Sequence, residues 1–271
     1  KPTNKNPQGE TDDEFFERDT GHAAPVGAYL NAYGLQSDFI AVQSMQMSPY
    51  DIAFLDSTNL FEKDFLKALS GILLPRVDVS IDEKGNLSVS TEGEWWKAML
   101  WETIILSTVN EKYNAARIAD PSSSYTMTKC MADGLYGLQS KAFLLREWAP
   151  SATITDFGTR RRFSSDWQGL ALEVLKRELG EQLAGTSNVY WAKELGLKPI
   201  GTYAHEMDMV YAGLYYPIKP SELQLAHKYM MNDWERLYPY NMRIGLTDTW
   251  GSDFFFANFS KEQAINWAGV R

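Results

Sequence analysis

A chain of 271 residues is long enough for one large α/β domain or two modest ones, and its net charge of −9 excludes the basic face needed for nonspecific nucleic-acid binding. A single cysteine, Cys130, rules out an internal disulfide framework and fits a reducing compartment. No apolar run approaches the roughly 20 residues of a membrane span and no signal peptide opens the chain, so the expected setting is the cytoplasm, with no membrane and no nucleic-acid partner.

In chain order, residues 1–36 form a polar segment, opening on "KPTNKNPQGETDDEFFERD". Residues 37–120 read as a mixed α/β domain. Short helices are expected over 48–58 and 62–74. The alternating runs "VDVSI" (77–81) and "LSVST" (87–91), joined by "DEKGN", predict a hairpin. Helical periodicity then runs over 92–117, with Trp96, Leu100, Thr103 and Ser107 on one stripe. "DPSSSYTMTK" (120–129) is the expected linker.

From 121 to 271 the pattern changes to strand followed by helix. Helix 134–148 leads into strand "TITDF" (153–157), a turn carrying three arginines, and helix 165–184 with Ser165 and Gln168 spaced as a capping box. The strand "AGTS" precedes helix "NVYWAKELG", which ends on Gly196. Strand 197–202 precedes a helix beginning "AHEMDM", and a further helix is expected with Pro220 in its first turn. Strand 242–248 is followed by two short helices. Four strand–helix units imply a parallel sheet with right-handed crossovers, and strands this short suit a barrel, whose functional groups sit on the loops after the strands.

Those loops are "FGTRRRFS", "GTSN", "GTYAHE" and "TDTWGSD". Arg160, Arg161 and Arg162 offer planar guanidinium donors suited to phosphate or carboxylate, and the next helix N-terminus favours an anion. At most two of the three can face one ligand. His205, one of three histidines, suits a general base, a metal ligand or a phosphoryl acceptor. A zinc site is not expected, because His22 and His227 fall in unrelated contexts and no His/Cys pair has ligand spacing; His227 reads as structural or exposed. Asp248 suits ribose hydroxyls or a phosphate-borne magnesium, or a helix cap. Thr186, Ser187 and Asn188 suit an anion or a cap, and Phe157, Tyr203 and Trp250 suit stacking on a planar ring or plain core packing. The residues alone therefore point to a multiply anionic small ligand of phosphosugar or nucleotide type.

In this order, "DFGTRRRFS" (156–164), "GTSNVYWAKELGLKPIGTYAHE" (185–206) and "LTDTWGSDFFF" (246–256), with "WETIILSTVNEKY" (101–113) upstream, resemble the nicotinate phosphoribosyltransferase family over residues 37–271. The resemblance implies an α/β protein in which a mixed N-terminal domain precedes an incomplete barrel of the type II phosphoribosyltransferase kind. It implies transfer of a phosphoribosyl group from phosphoribosyl pyrophosphate to nicotinate, coupled to ATP hydrolysis, with Mg2+ carried on the donor and homodimer formation. By motif position, His205 is the transiently phosphorylated histidine and Asp248 approaches the donor ribose. Thr202 touches nicotinate, and Thr159, Arg160, Arg161, Ser187 and Asn188 contact the substrates. The alternatives are a nicotinamide-using relative and a catalytically impaired binding or regulatory fragment. The family's tyrosine-containing N-terminal motif is not recognised before residue 37. Its acidic, glycine-bearing phosphate loop lies beyond "NWAGVR", so little or no turnover is expected of 271 residues alone.

Overall fold

The computed structural model describes residues 26–215 and 222–271. The chain forms two compact units, one comprising the described residues up to Met45 with Leu73–Met127, the other Gln46–Ile72 with Thr128–Arg271.

In the first unit, helix α1 (Ala32–Gln43) is capped by Asn31, whose side chain accepts from the Tyr33 amide at 2.9 Å. Strands β1 (Val77–Ile81) and β2 (Leu87–Thr91) form the expected antiparallel hairpin in register Val77↔Thr91 to Ile81↔Leu87. Asp82 builds its turn, accepting the Lys84 and Asn86 amides on Oδ1, while Gly85 takes φ 80°. The single helix expected over 92–117 is instead two, α4 (Trp95–Ala98) and α5 (Trp101–Ala119). At the junction three-residue bonds, such as Glu102 N to Met99 O, replace the α-helical ladder. The break brings Trp101 inward, where it is 1% exposed and donates to Pro75 O at 2.8 Å. Trp95 and Leu106, on the same two helices, stay exposed. Trp101 stands edge-on to Phe39 at 5.8 Å, and with Leu35 and Val77 these residues are the core of this unit. Gln36 stitches α1 to the hairpin, its Nε2 donating to Val77 O and its Oε1 accepting from Val79 N.

The second unit contains helices α2 (Pro49–Ser57) and α3 (Lys63–Ser70), the former with a Ser48/Asp51 capping box. Helix α6 (Met127–Trp148) leads to strand β3 (Ile154–Asp156), helix α7 (Ser165–Leu179), strand β4 (Leu183–Thr186) and helix α8 (Val189–Leu195). Gly196 closes α8 in the left-handed conformation, as its position in the sequence predicts. Strands β3 and β4 are parallel, with Asp156 opposite Thr186, and Thr186 bridges in parallel to Pro199. Of the strand expected over 197–202 only this bridge forms. Gly185 permits it: a Cβ there would stand 2.1 Å from Lys198 O.

Helices α9 (His205–Tyr215) and α10 (Leu223–Leu237) follow, then β5 (Ile244–Gly245), α11 (Ser252–Asn258), α12 (Lys261–Asn266) and β6 (Gly269–Val270), with β5 and β6 parallel. Pro220 lies outside the described residues. Tyr203, Met230, Met231, Leu246, Phe255 and Trp267 form the main core here. Instead of the one parallel sheet expected, parallel strands alternate with helices as two separate pairs, β3–β4 and β5–β6, and the strand ends carry the polar loops.

Candidate functional site

The loops after β3 and β4 rest on a shared polar bed. Asp156, the last residue of β3, accepts the Gly158 amide on Oδ1 at 2.9 Å, and on Oδ2 the Thr186 hydroxyl at 2.7 Å and Gln168 Nε2 at 2.9 Å. Gln168 also donates to Thr159 Oγ1 at 3.0 Å and accepts from Asn188 Nδ2 at 2.9 Å. The Ser187 amide donates to Asp156 O, and the Asn188 amide to Thr186 Oγ1. Thr186 is fully buried and Gln168 nearly so. Strand register explains the arrangement: pairing sets Asp156 and Thr186 side by side, so two loops share one carboxylate.

Gln168 therefore does not complete a capping box with Ser165. The cap is Ser164, one residue earlier in extended conformation, whose Oγ accepts from the Trp167 amide at 3.0 Å. That shift frees Gln168, a full turn into α7, to face the strand ends. Asn188 caps α8 by accepting from the Trp191 amide at 3.2 Å and also holds Gln168, so both functional groups of its side chain are engaged within the bed. Ser187 lies between Thr186 and Asn188 at the end of the β4 loop.

On this bed the arginine turn is a single 3-10 turn, Thr159–Arg161. Arg161 is exposed, while Arg160 and Arg162 are half-buried. A Cβ on Gly158 would stand 2.9 Å from Asp156 Oδ1, so the turn is drawn tightly onto the carboxylate.

In the same unit, His205 opens α9 and places Nδ1 2.7 Å from Thr249 Oγ1 and Nε2 3.6 Å from Asp248 Oδ1. Its side chain is one-third exposed, and that of Asp248 is 68% exposed. Beneath them Tyr203, 1% exposed, accepts from the Leu246 amide at 2.8 Å and donates to Leu246 O at 3.3 Å. Burial pushes its phenol well above the ordinary range, so the hydroxyl keeps its proton and remains a donor. Tyr203 thus fixes the loop after Thr202 to the loop before Asp248, and of the three aromatics considered for stacking it is the one committed to the core.

Sequence reasoning passed over Arg271. Its amide donates to Gly245 O at 2.7 Å and its carbonyl accepts from the Thr247 amide, extending the β5–β6 ladder by one residue. Its guanidinium lies 5.5 Å over the Phe157 ring, with Nη1 3.4 Å from Thr202 Oγ1. A cation, an aromatic face and a hydroxyl from three strand-end loops therefore meet. The signal was available: "GVR" follows a helix at the spacing of another strand end. Among the described residues no cluster of three or more His, Cys, Asp or Glu could hold a metal ion, and no helix is long and apolar enough to cross a membrane.

Two family models match the chain: the nicotinate phosphoribosyltransferase (NAPRTase) N-terminal domain over residues 3–110 and the nicotinate phosphoribosyltransferase (NAPRTase) family over residues 152–271. The first extends the likeness upstream of residue 37. Nicotinate phosphoribosyltransferases of Neisseria gonorrhoeae and Neisseria meningitidis serogroup A are each 32% identical over 246 residues, 88% of this chain and 58% of theirs. The crystal structure of nicotinate phosphoribosyltransferase from Porphyromonas gingivalis matches with a TM-score of 0.76 at 30% identity, covering 89% of this chain and 58% of that one. That from Vibrio cholerae matches with a TM-score of 0.75 at 28% identity, covering 88% and 55%. The chain thus spans a little over half the length of the curated relatives it matches, and its fold is of the type II phosphoribosyltransferase kind.

Proposed function

Because the chain belongs to the nicotinate phosphoribosyltransferase family, we propose that it supplies the substrate-binding loops for phosphoribosyl transfer from phosphoribosyl pyrophosphate to nicotinate. The nicotinate ring nitrogen forms a bond to the anomeric carbon as the bond to pyrophosphate breaks, giving nicotinate mononucleotide and pyrophosphate. The observation that carries this reading is Arg271 lying over Phe157 with its Nη1 towards Thr202. A guanidinium pairs with a carboxylate in its own plane, and the neighbouring ring offers an apolar face to a pyridine. Nicotinamide lacks the charge such a cation selects, which favours nicotinate over its amide.

The donor's phosphates fall to the Arg160–Arg161 turn, with Thr159 and Asn188 holding the turn in place and Ser187 at the neighbouring loop. Mg2+ carried on the donor would offset the charge of the departing pyrophosphate. As the leaving group departs, positive charge develops at the anomeric carbon. The open carboxylate of Asp248 offsets it, while the rigid bed under the arginines holds the reacting groups in line.

His205 is the residue for ATP coupling. A ring nitrogen takes the γ-phosphoryl group, ADP leaves, and hydrolysis of the phosphohistidine drives the cycle. Thr249 and Asp248 orient the imidazole. Such chemistry belongs in the cytoplasm, and the active form is a homodimer.

The test combines γ-labelled ATP, nicotinate, phosphoribosyl pyrophosphate and Mg2+, following protein-bound label and mononucleotide by chromatography. Acid-labile label that is absent in His205→Asn is expected, with nicotinate mononucleotide formed slowly at most. Acid-stable label, or label that persists in His205→Asn, contradicts the assignment. Binding of both substrates without product favours a binding role instead.

A further inference from the structure

Asp208 and His227 have no part in the chemistry above, yet they are the most deeply buried ionisable pair among the described residues, with side chains 1% and 2% exposed. His227 Nδ1 lies 2.8 Å from Asp208 Oδ1. The carboxylate can only accept, so the imidazole Nδ1–H is the donor. Asp208 Oδ2 and His227 Nε2 are buried with no hydrogen-bond partner among the described residues, so each side chain is located chiefly by the other.

A buried pair of this kind adds little to stability compared with apolar side chains of similar size, so stability alone does not account for it. Its placement does. Asp208 lies one turn after His205 on α9, His227 lies on α10, and the imidazole stands edge-on to Phe254 and Phe255 of α11 at 5.7 and 5.6 Å. Helix α11 begins just after the loop bearing Asp248 and Thr249, the two residues that His205 contacts. The Asp208–His227 bond thus joins α9, which carries His205, to α10, alongside Tyr211 Oη donating to Asp233 Oδ2, and the ring contacts of His227 extend the link to α11.

We propose that Asp208 and His227 form a positioning pair that fixes His205 against Thr249 and Asp248. The pair acts through α9 and touches no substrate. The proposal rests on the role given to His205, so its test reads imidazole geometry rather than turnover, and either idea can fail alone.

With three histidines in the chain, 15N-labelled imidazoles are assignable by substitution. The measurement compares the Nδ1 and Nε2 signals of His205 at neutral pH in the wild type, in Asp208→Asn, and in Asp208→Leu combined with His227→Phe, with thermal unfolding run alongside. In the double variant the melting temperature is expected to hold or rise while the His205 signals lose their wild-type Nδ1 hydrogen-bond signature. A folded double variant with wild-type His205 signals overturns the proposal. Should the double variant not fold, Asp208→Asn decides: displaced His205 signals support the pair's role and unchanged signals overturn it.

Discussion

The two sides of the site are built differently. Under the arginine turn, Asp156, Thr159, Gln168, Thr186 and Asn188 are joined by hydrogen bonds of 2.7–3.0 Å, with Thr186 and Gln168 buried. On the other side, His205 and Asp248 are 3.6 Å apart and open to solvent, and Arg271 reaches Thr202 at 3.4 Å. One side satisfies its buried polar groups internally and holds a shape; the other leaves its polar groups open to solvent. A buried network rigidifies only when every member is satisfied, whereas groups that meet a charged ligand or change covalent state need exposure and slack.

The largest break in this comparison comes from Asp156→Ala. It removes the acceptor shared by the Gly158 amide, Thr186 and Gln168 and leaves buried donors unpaired, at about 1–3 kcal/mol for each orphaned group. Denaturant unfolding is expected to show a loss of about 2–4 kcal/mol; a loss below about 0.5 kcal/mol, the range of ordinary surface substitutions, would show that the bed is not structural.

The smallest effect sharpens the edge of the same region. Helix α8, which starts at the Asn188 cap, is tied to α2 by Lys193 Nζ to Asp51 Oδ1 at 2.6 Å. That contact, with help from Ser48, lowers the Asp51 carboxyl from 3.8 to about 2. A carboxyl lowered in the folded state stabilises above its unfolded value, and the contribution fades as pH falls from about 4 to about 2. Lys193→Met is expected to lower the melting temperature slightly at neutral pH, with the gap from wild type closing across that window. A gap that widens there contradicts the ion pair. Being partly exposed, the pair is screened, and added salt should narrow the gap as well.

Much of this was legible in the sequence where local rules decide. The hairpin and its turn, the α8 stop at Gly196 and the run of polar strand-end loops follow from period and turn chemistry. What escaped depends on long-range placement. Trp101 is buried because the helix breaks two residues before it, a choice made by the hairpin and Phe39 rather than by helical period. Gln168 reads locally as a capping residue but is recruited by Asp156, twelve residues earlier. The ladders over 197–202 and 242–248 are short because few of their residues find partners, and a strand-like run says nothing about that. Of the two readings of His227, structural or exposed, the structural one holds; what the sequence did not show is its partner, Asp208, nineteen residues earlier. Arg271 was hidden for the same reason: its value lies in standing over Phe157, 114 residues earlier in the chain.

The proposed ligand of the exposed side is a pyridine carboxylate. Calorimetric titration of the wild type and Arg271→Ala with nicotinate and, separately, nicotinamide tests it most directly. The wild type is expected to bind nicotinate more tightly than nicotinamide, and Arg271→Ala to weaken nicotinate roughly tenfold or more, the scale of a lost charge-assisted pair, with nicotinamide little changed. Equal affinity for the two ligands in the wild type, or a nicotinate affinity that Arg271→Ala leaves intact, would contradict it.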